Sequence, residues 1–215
     1  ALATDRREAQ AERDNAQLQT DFLARVENML GTPDNPASLT ARLAAFEKGL
    51  ITAASRPDAP ERLSSAIADA GALASSLNET AKGIQEARGQ ADRAIDVAVD
   101  QLNADLRQMA ELNTQITALQ VQGGDVAALQ DLRTKVVDRI GSAVPIRQVP
   151  RDNGQIGLYS IGGAVLLDGT PAQVEFTPVN VVTPYMSVGA GTLSGLTIIG
   201  TPVLTDSEKC ALRCG

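Results

Sequence analysis

The chain has 215 residues, with 19 Lys and Arg against 26 Asp and Glu, 2% aromatic residues, no His and no Trp. A formal charge of −7 without any basic run argues against a nucleic-acid binder and against an anionic membrane surface. Lack of His removes the commonest general base and metal ligand, and the scarcity of aromatics removes the usual anchors of a ligand pocket.

No apolar run approaches the roughly 18 to 20 residues that span a bilayer, and no cleavable signal peptide is visible. Because the chain starts at Ala1 and not at Met, it is expected to be a fragment. Charge is unevenly distributed. Residues 1–143 hold 15 of the 19 basic and 21 of the 26 acidic residues, whereas residues 144–215 are rich in Gly, Val and Thr. That break predicts a helical rod domain over 1–143 and, over 144–215, a β-hairpin region with the start of a further β segment.

In chain order, Leu18, Phe22, Val26 and Met29 recur at helical spacing, and the turn "GTPDNP" closes that first helix. Ser38 is suited to cap a second helix with the stripe Leu39, Leu43, Phe46 and Leu50, stopping near Arg56 because Pro57 follows. The phrase "APERL" opens a third helix at Pro60 that runs to about Val121. Its stripe is Ile95, Val99, Leu102, Leu106, Met109, Leu112, Ile116 and Leu119. Some 60 helical residues make a rod of roughly 90 Å, against about 35 Å for a compact domain of this size. An elongated molecule is therefore expected. Gly71, Gly83 and Gly89 weaken the early half and invite a kink.

Gly123 and Gly124 end the rod, and Asp125 caps a fourth helix whose inner face is Val126, Leu129, Leu132, Val136 and Ile140, folding back antiparallel. "PIRQVP", "IGLYSI" and "AVLLD" read as strands around the turns "RDNGQ" and Gly162-Gly163, and "AQVEFTPV" has strand alternation. Two or three short strands are expected after Val179. The fold class is thus α+β: an elongated antiparallel helical bundle with one very long helix, followed by a small β-rich region with hairpins. The packing seam expected to matter is Leu102, Leu106, Met109, Leu112, Ile116, Leu119, Leu129, Leu132 and Val136, with Asn113 as a polar contact or register feature within it.

Candidate chemistry is sparse. Asp92, Asp96 and Asp100 form a carboxylate ladder, but a straight row on a helix lacks the convergence a hard cation needs. Glycines at 162, 163, 189, 191 and 195 lie in no strand–loop–helix unit with a following Lys-Ser/Thr. Ser64, Ser65, Ser75 and Ser76 have no His to activate them. Cys210 and Cys214 supply half a zinc site at most. A disulfide, two free thiols or a feature introduced into the chain are the readings that remain. A carboxylate-pair enzyme would have to draw on Asp152, Asp168, Glu175, Asp206 and Glu208 in the second part. No cofactor, no metal and no catalytic residue is expected. A helical-rod signalling or adhesin module with a β head, using Arg147, Arg151 and Asp152, is the alternative architecture.

Several phrases in order carry a family resemblance: "LRQMAELNTQI", then "GGDVAALQDLRTKVVDRIGSAVPI", then "DNGQIGLYSIGGAVLLDG", with "SLTARLAAFEKGLITAASRPDAPERLSSAI" before them. The matching positions are Leu112, Asn113 and Ile116, then Leu129, Asp131, Leu132, Arg133 and Asp138, then Gly162, Gly163 and Leu166. Over roughly residues 5–205 the sequence resembles the flagellar hook-associated protein 1 family, the first of the two hook–filament junction proteins. The resemblance implies a non-enzymatic extracellular building block of the bacterial flagellum, exported by the flagellar secretion apparatus. It also implies self-association into a ring in the full-length protein, with the hook protein and the second junction protein as partners. The family's N-terminal Asn-rich phrase and its apolar terminal helices are absent here, and Cys210 and Cys214 stand where the family usually has Gly. The chain therefore resembles the family's central portion, and part of its apolar helix surface is expected to lie uncovered.

Overall fold

The structure is a computed structural model that describes residues 2–32, 34–198 and 201–202; of the side chains at 2–5, 7, 8 and 201–202 nothing is said. Four helices lead: α1 (Leu2–Leu30), α2 (Leu39–Ser55), α3 (Pro60–Val121) and α4 (Ala127–Ala143). Among the described residues seven short strands follow: β1 (Ile146–Pro150), β2 (Ile156–Ser160), β3 (Val165–Asp168), β4 (Thr170–Pro171), β5 (Val174–Glu175), β6 (Thr197–Ile198) and β7 (Thr201–Pro202). Secondary structure changes from helical to extended after Ala143, as the composition break predicts. Cys210 and Cys214 lie outside the described residues.

Local chemistry sets the helix ends. The Ser38 hydroxyl accepts the Ala41 N–H, so α2 starts where a capping serine stands, and it stops at Ser55, two residues before Pro57. α3 begins on Pro60, whose missing N–H costs nothing in a first turn, and runs as one helix of 62 residues through Gly71, Gly83 and Gly89. It closes with a glycine in the left-handed region, Gly123 at φ +71°, and with the Gly124 N–H bonded to the Leu119 carbonyl. Asp125 works as a turn residue and not as the cap itself: α4 starts at Ala127, whose N–H donates to the Asp125 carboxylate.

Contacts divide the chain into two compact units, and α3 contributes to both. One unit comprises Ala1–Gln19, Gln90–Val181 and Tyr185–Gly215; the other comprises Thr20–Gly89 and Val182–Pro184.

In the first unit α4 lies antiparallel to the second half of α3, since Arg139 meets Asp105 while Arg133 meets Asn113. β1 to β4 form an antiparallel sheet in sequential order, and β5, β6 and β7 form a second small sheet. One core joins them: Val99, Leu102, Leu106, Met109 and Leu112 of α3, Val136, Val137 and Ile140 of α4, and Ile146, Leu158, Leu166, Leu167 and Val174 of the strands. The strand expected over 172–179 is realised only at Val174–Glu175. Its main-chain groups are taken by side chains: Asn103 holds both polar groups of Val174, Ser194 accepts from Thr177 N–H, and Asp92 accepts from Val179 N–H.

The second unit is built on small residues. A Cβ on Gly49 of α2 would meet the Asp69 carboxylate at 2.8 Å and the Ala66 Cα at 3.3 Å, so α2 approaches α3 closely there. At Gly83 the nearest atom to such a Cβ is the Met29 sulfur at 3.1 Å. No residue of α2 is buried, and the stripe Leu43 and Leu50 is 47% and 49% exposed. Replacing Gly49 by Leu should force α2 away from Ala66 and lower stability by about 1–3 kcal/mol. A thermal melt followed by helical circular dichroism reads this directly, and an unchanged midpoint would contradict the close approach.

Candidate functional site: the seam of the long helix and its polar clamps

Side chains along α3 present two kinds of chemistry to the same unit. The apolar seam lies almost entirely out of solvent: Leu102, Leu106, Met109, Leu112 and Ile116 are at most 6% exposed, and Val136 of α4 is at 1%. Leu119 and Leu129 are half-buried at the margin. Leu132 lies elsewhere, on the solvent side of α4 at 47% exposure. The buried positions of that helix are Arg133, Val136, Val137, Ile140 and Gly141, so its inward stripe passes through the residue after Leu132.

Interleaved with the seam are buried amides. Asn113 donates from Nδ2 to the Ile156 carbonyl at 2.9 Å and accepts the Ile156 N–H on Oδ1 at 3.3 Å. Asn103 does the same for Val174, both at 2.9 Å. A side-chain amide carries the same donor and acceptor as a peptide group, so each asparagine stands in for a neighbouring strand. Arg133 reaches from α4 to the Asn113 oxygen and, at 2.6 Å, to the Gly154 carbonyl. Burial holds the Arg133 guanidinium below its ordinary pKa. The Thr117 hydroxyl shares its proton between the Asn113 carbonyl of its own helix, at 3.0 Å, and the Asn153 carbonyl, at 3.2 Å, and accepts from the Gln155 side chain, which holds the turn between β1 and β2. Every buried side-chain nitrogen and oxygen among the described residues has a partner. Asp105, only 4% exposed in its side chain, is held by Arg139 through Nε and Nη2, and this hydrogen bond raises the Arg139 pKa. Sequence alone marked Asn113 as a polar break in an apolar stripe; Asn103 and Asp105 carry no such mark, because both flank the stripe among other polar residues.

The remaining candidates do not assemble into a reactive centre. Asp92 is buried on the Val179 N–H, Asp96 is half-buried and Asp100 is exposed, and no metal-holding group of His, Cys, Asp or Glu occurs among the described residues. Arg147 and Asp152 are exposed, and Arg151 is engaged with Asp168 and Tyr159 on the outer side of the hairpin. There Arg151 donates to both Asp168 oxygens at 3.0 and 2.8 Å and lies 5.8 Å above the Tyr159 ring, while the Tyr159 hydroxyl donates to Asp168 at 2.7 Å. Arg151 first, then Tyr159, holds the Asp168 carboxyl below its ordinary value of 3.8, the opposite of what a general acid needs. The Tyr159 hydroxyl is raised, chiefly by its bond to Asp168. A cleft lined by Arg6, Gln10, Asp138, Gly141 and Ser142 contains the Arg6–Asp138 pair at 3.6 Å. No helix among the described residues is long and apolar enough to cross a membrane.

Two measurements check this geometry. Ile116→Ala should lose about 2–5 kcal/mol of unfolding free energy, while Leu132→Ala should stay within about 0.5 kcal/mol of the parent; equal losses in urea titrations would place Leu132 in the seam after all. A carboxyl with a depressed folded pKa stabilises above its unfolded value and loses that contribution as pH falls through the folded one. The Arg151 Nε–H resonance should therefore show an acid transition whose midpoint lies below the ordinary carboxyl value, and should lose this transition in Asp168→Asn.

Comparison with known proteins agrees with this architecture. The sequence model of the family described as "Flagellar hook-associated protein FlgK helical domain" matches residues 23–197. Flagellar hook-associated protein 1 of Escherichia coli (strain K12) is 24% identical over 210 residues, covering 88% of this chain and 38% of that protein. Its counterpart in Salmonella typhimurium is 26% identical over 153 residues, covering 70% of this chain and 27% of that protein. Among solved structures, the flagellar hook junction protein FlgK from Burkholderia pseudomallei superposes with a TM-score of 0.79 at 20% identity, covering 98% of this chain and 38% of that one. The chain thus spans well under half the length of the relatives it matches. The clamped helix, the returning α4 and the hairpins behind them are the helical domain of a flagellar hook-associated protein, and the chain belongs to the FlgK helical-domain family.

Proposed function

We propose that the chain serves as a structural part of the bacterial flagellum, within the ring that joins hook to filament, and that it catalyses no reaction. Its neighbours there are further copies of itself, the hook protein and the second junction protein. Its place is outside the cell, reached through the flagellar secretion apparatus. Family membership supports the flagellar reading.

The observation that carries an assembling role is the surface of the second unit. Leu23, Leu43, Leu50, Ile51, Leu63 and Ile67 are between 47% and 72% exposed, while the same unit buries Ala66 and Ala87. Many large apolar side chains are thus outside while alanines are buried, less than a self-sufficient helical core would cover. Such surface on a water-borne protein marks a place where other protein is received. Stability of the clamped unit, with its satisfied amides and its paired Asp105, suits a part that must hold shape under load.

Sedimentation velocity over a range of concentrations tests the reading. The chain should associate as concentration rises, and Leu43→Glu together with Leu50→Glu should shift it towards monomer with its helical signal retained. Monomer at every concentration would remove the argument from the exposed leucines.

A further inference from the structure

The turn "DNGQ" between β1 and β2 holds the one Asn-Gly pair in the sequence. Asn153 is also the one non-glycine residue with positive φ among the described residues, at φ 55° and ψ 33°, and Gly154 follows at φ +73°. The Asn153 side chain is exposed and makes no hydrogen bond among the described residues. Its main chain is held firmly. The Asn153 carbonyl accepts from Thr117 at 3.2 Å and the Gly154 carbonyl from Arg133 at 2.6 Å. Within the turn, Gln155 N–H donates to the Asp152 carbonyl and Arg151 N–H to the Gln155 carbonyl. Glycine suits position 154 because of its left-handed φ, and a Cβ there would push the end of the exposed Gln120 side chain aside.

An asparagine followed by glycine can attack itself, because no Cβ shields the glycine nitrogen. That nitrogen bonds to Cγ of the asparagine, the Cγ–Nδ2 bond breaks, and Nδ2 departs as ammonia with the proton from the glycine nitrogen. Water then opens the cyclic imide at one of its two carbonyls and leaves aspartate or isoaspartate. Ring closure needs the glycine nitrogen on the same side of the Cα–C bond as Cβ. At ψ 33° it points nearly opposite. The docked turn therefore closes the route, and rotation about ψ is prevented by the bonds to Thr117 and Arg133.

We propose that Asn153-Gly154 is a self-modification site whose imide chemistry opens when the 152–155 turn leaves α3. The modification is one-way. Isoaspartate inserts a backbone carbon before Gly154, so the Gly154 carbonyl can no longer reach Arg133 while Ile156 pairs with Asn113. Either product also adds a carboxylate beside Asp152. A released hairpin is thereby marked covalently and hindered from reseating.

The test holds the whole chain in mildly alkaline buffer and follows deamidation at 153 by peptide mapping with mass spectrometry. It compares folded protein, urea-denatured protein and the variants Thr117→Val and Arg133→Gln. Reaction through an open minority should make the folded chain slower than the denatured one by about tenfold or more. Variants that keep the helical dichroism of the parent should modify faster than it does. Equal rates in folded and denatured protein would overturn the proposal, as would folded variants that keep the parent's rate. If both variants unfold, the parent's folded-to-denatured ratio decides alone.

Discussion

A helix spends its main-chain hydrogen bonds on itself, so it has nothing on its flank with which to hold an extended segment. α3 meets that constraint with side-chain amides. Asn103 and Asn113 each present one donor and one acceptor to a single strand residue, Val174 and Ile156, as a strand edge would. Asp92 adds an acceptor for the Val179 N–H. Asp92 and Asn103 are eleven residues apart, about three helical turns, and so share a face. Asn113 is turned about a quarter of the way round, towards α4, where Arg133 reaches it. Without these amides the main chain of Val174 and Ile156 would sit against apolar Leu and Met side chains unsatisfied, at a cost of about 1–3 kcal/mol for each orphaned group.

The apolar seam and the amides depend on one another. Leu106, Met109 and Ile116 are fully excluded from solvent because the strands are drawn against the helix, and the amide bonds are strong because the seam keeps water away from them. The Asp105–Arg139 pair joins the same arrangement from the α4 side, with one charge buried and the other half in solvent. β5–β6 and β6–β7 pair over only two residues each, and β5 is held on α3 as well through Asn103.

Much of this was legible in residue spacing. The ends of α3 at Pro60 and Val121, the serine cap of α2 and the hairpin around Gly162-Gly163 follow from local chemistry that sequence displays. The seam from Leu102 to Ile116 follows from its helical period. Leu132 is exposed, although it stands at a regular step from Leu129, because α4 turns Arg133 inward to reach Asn113, a pairing set by the tertiary arrangement. The truncation of β5 was hidden for a similar reason: strand alternation in "AQVEFTPV" is real, but helix side chains take the bonds that a longer ladder would use. Uncovered leucines on α2 were readable as an apolar stripe, whereas the closeness of Gly49 to Ala66, which leaves those leucines outside, required coordinates.

Because Asn103 and Asn113 meet the strands through main-chain groups alone, they read the path of the strands and not their spelling. The side chains at Val174 and Ile156 answer to the core, but the capture itself is indifferent to which residue stands there. Related chains can therefore rewrite much of the hairpin while keeping its attachment, provided two amides and one glycine stay in place. Divergence in such a protein should accumulate on the strands and halt at the helix positions that hold them.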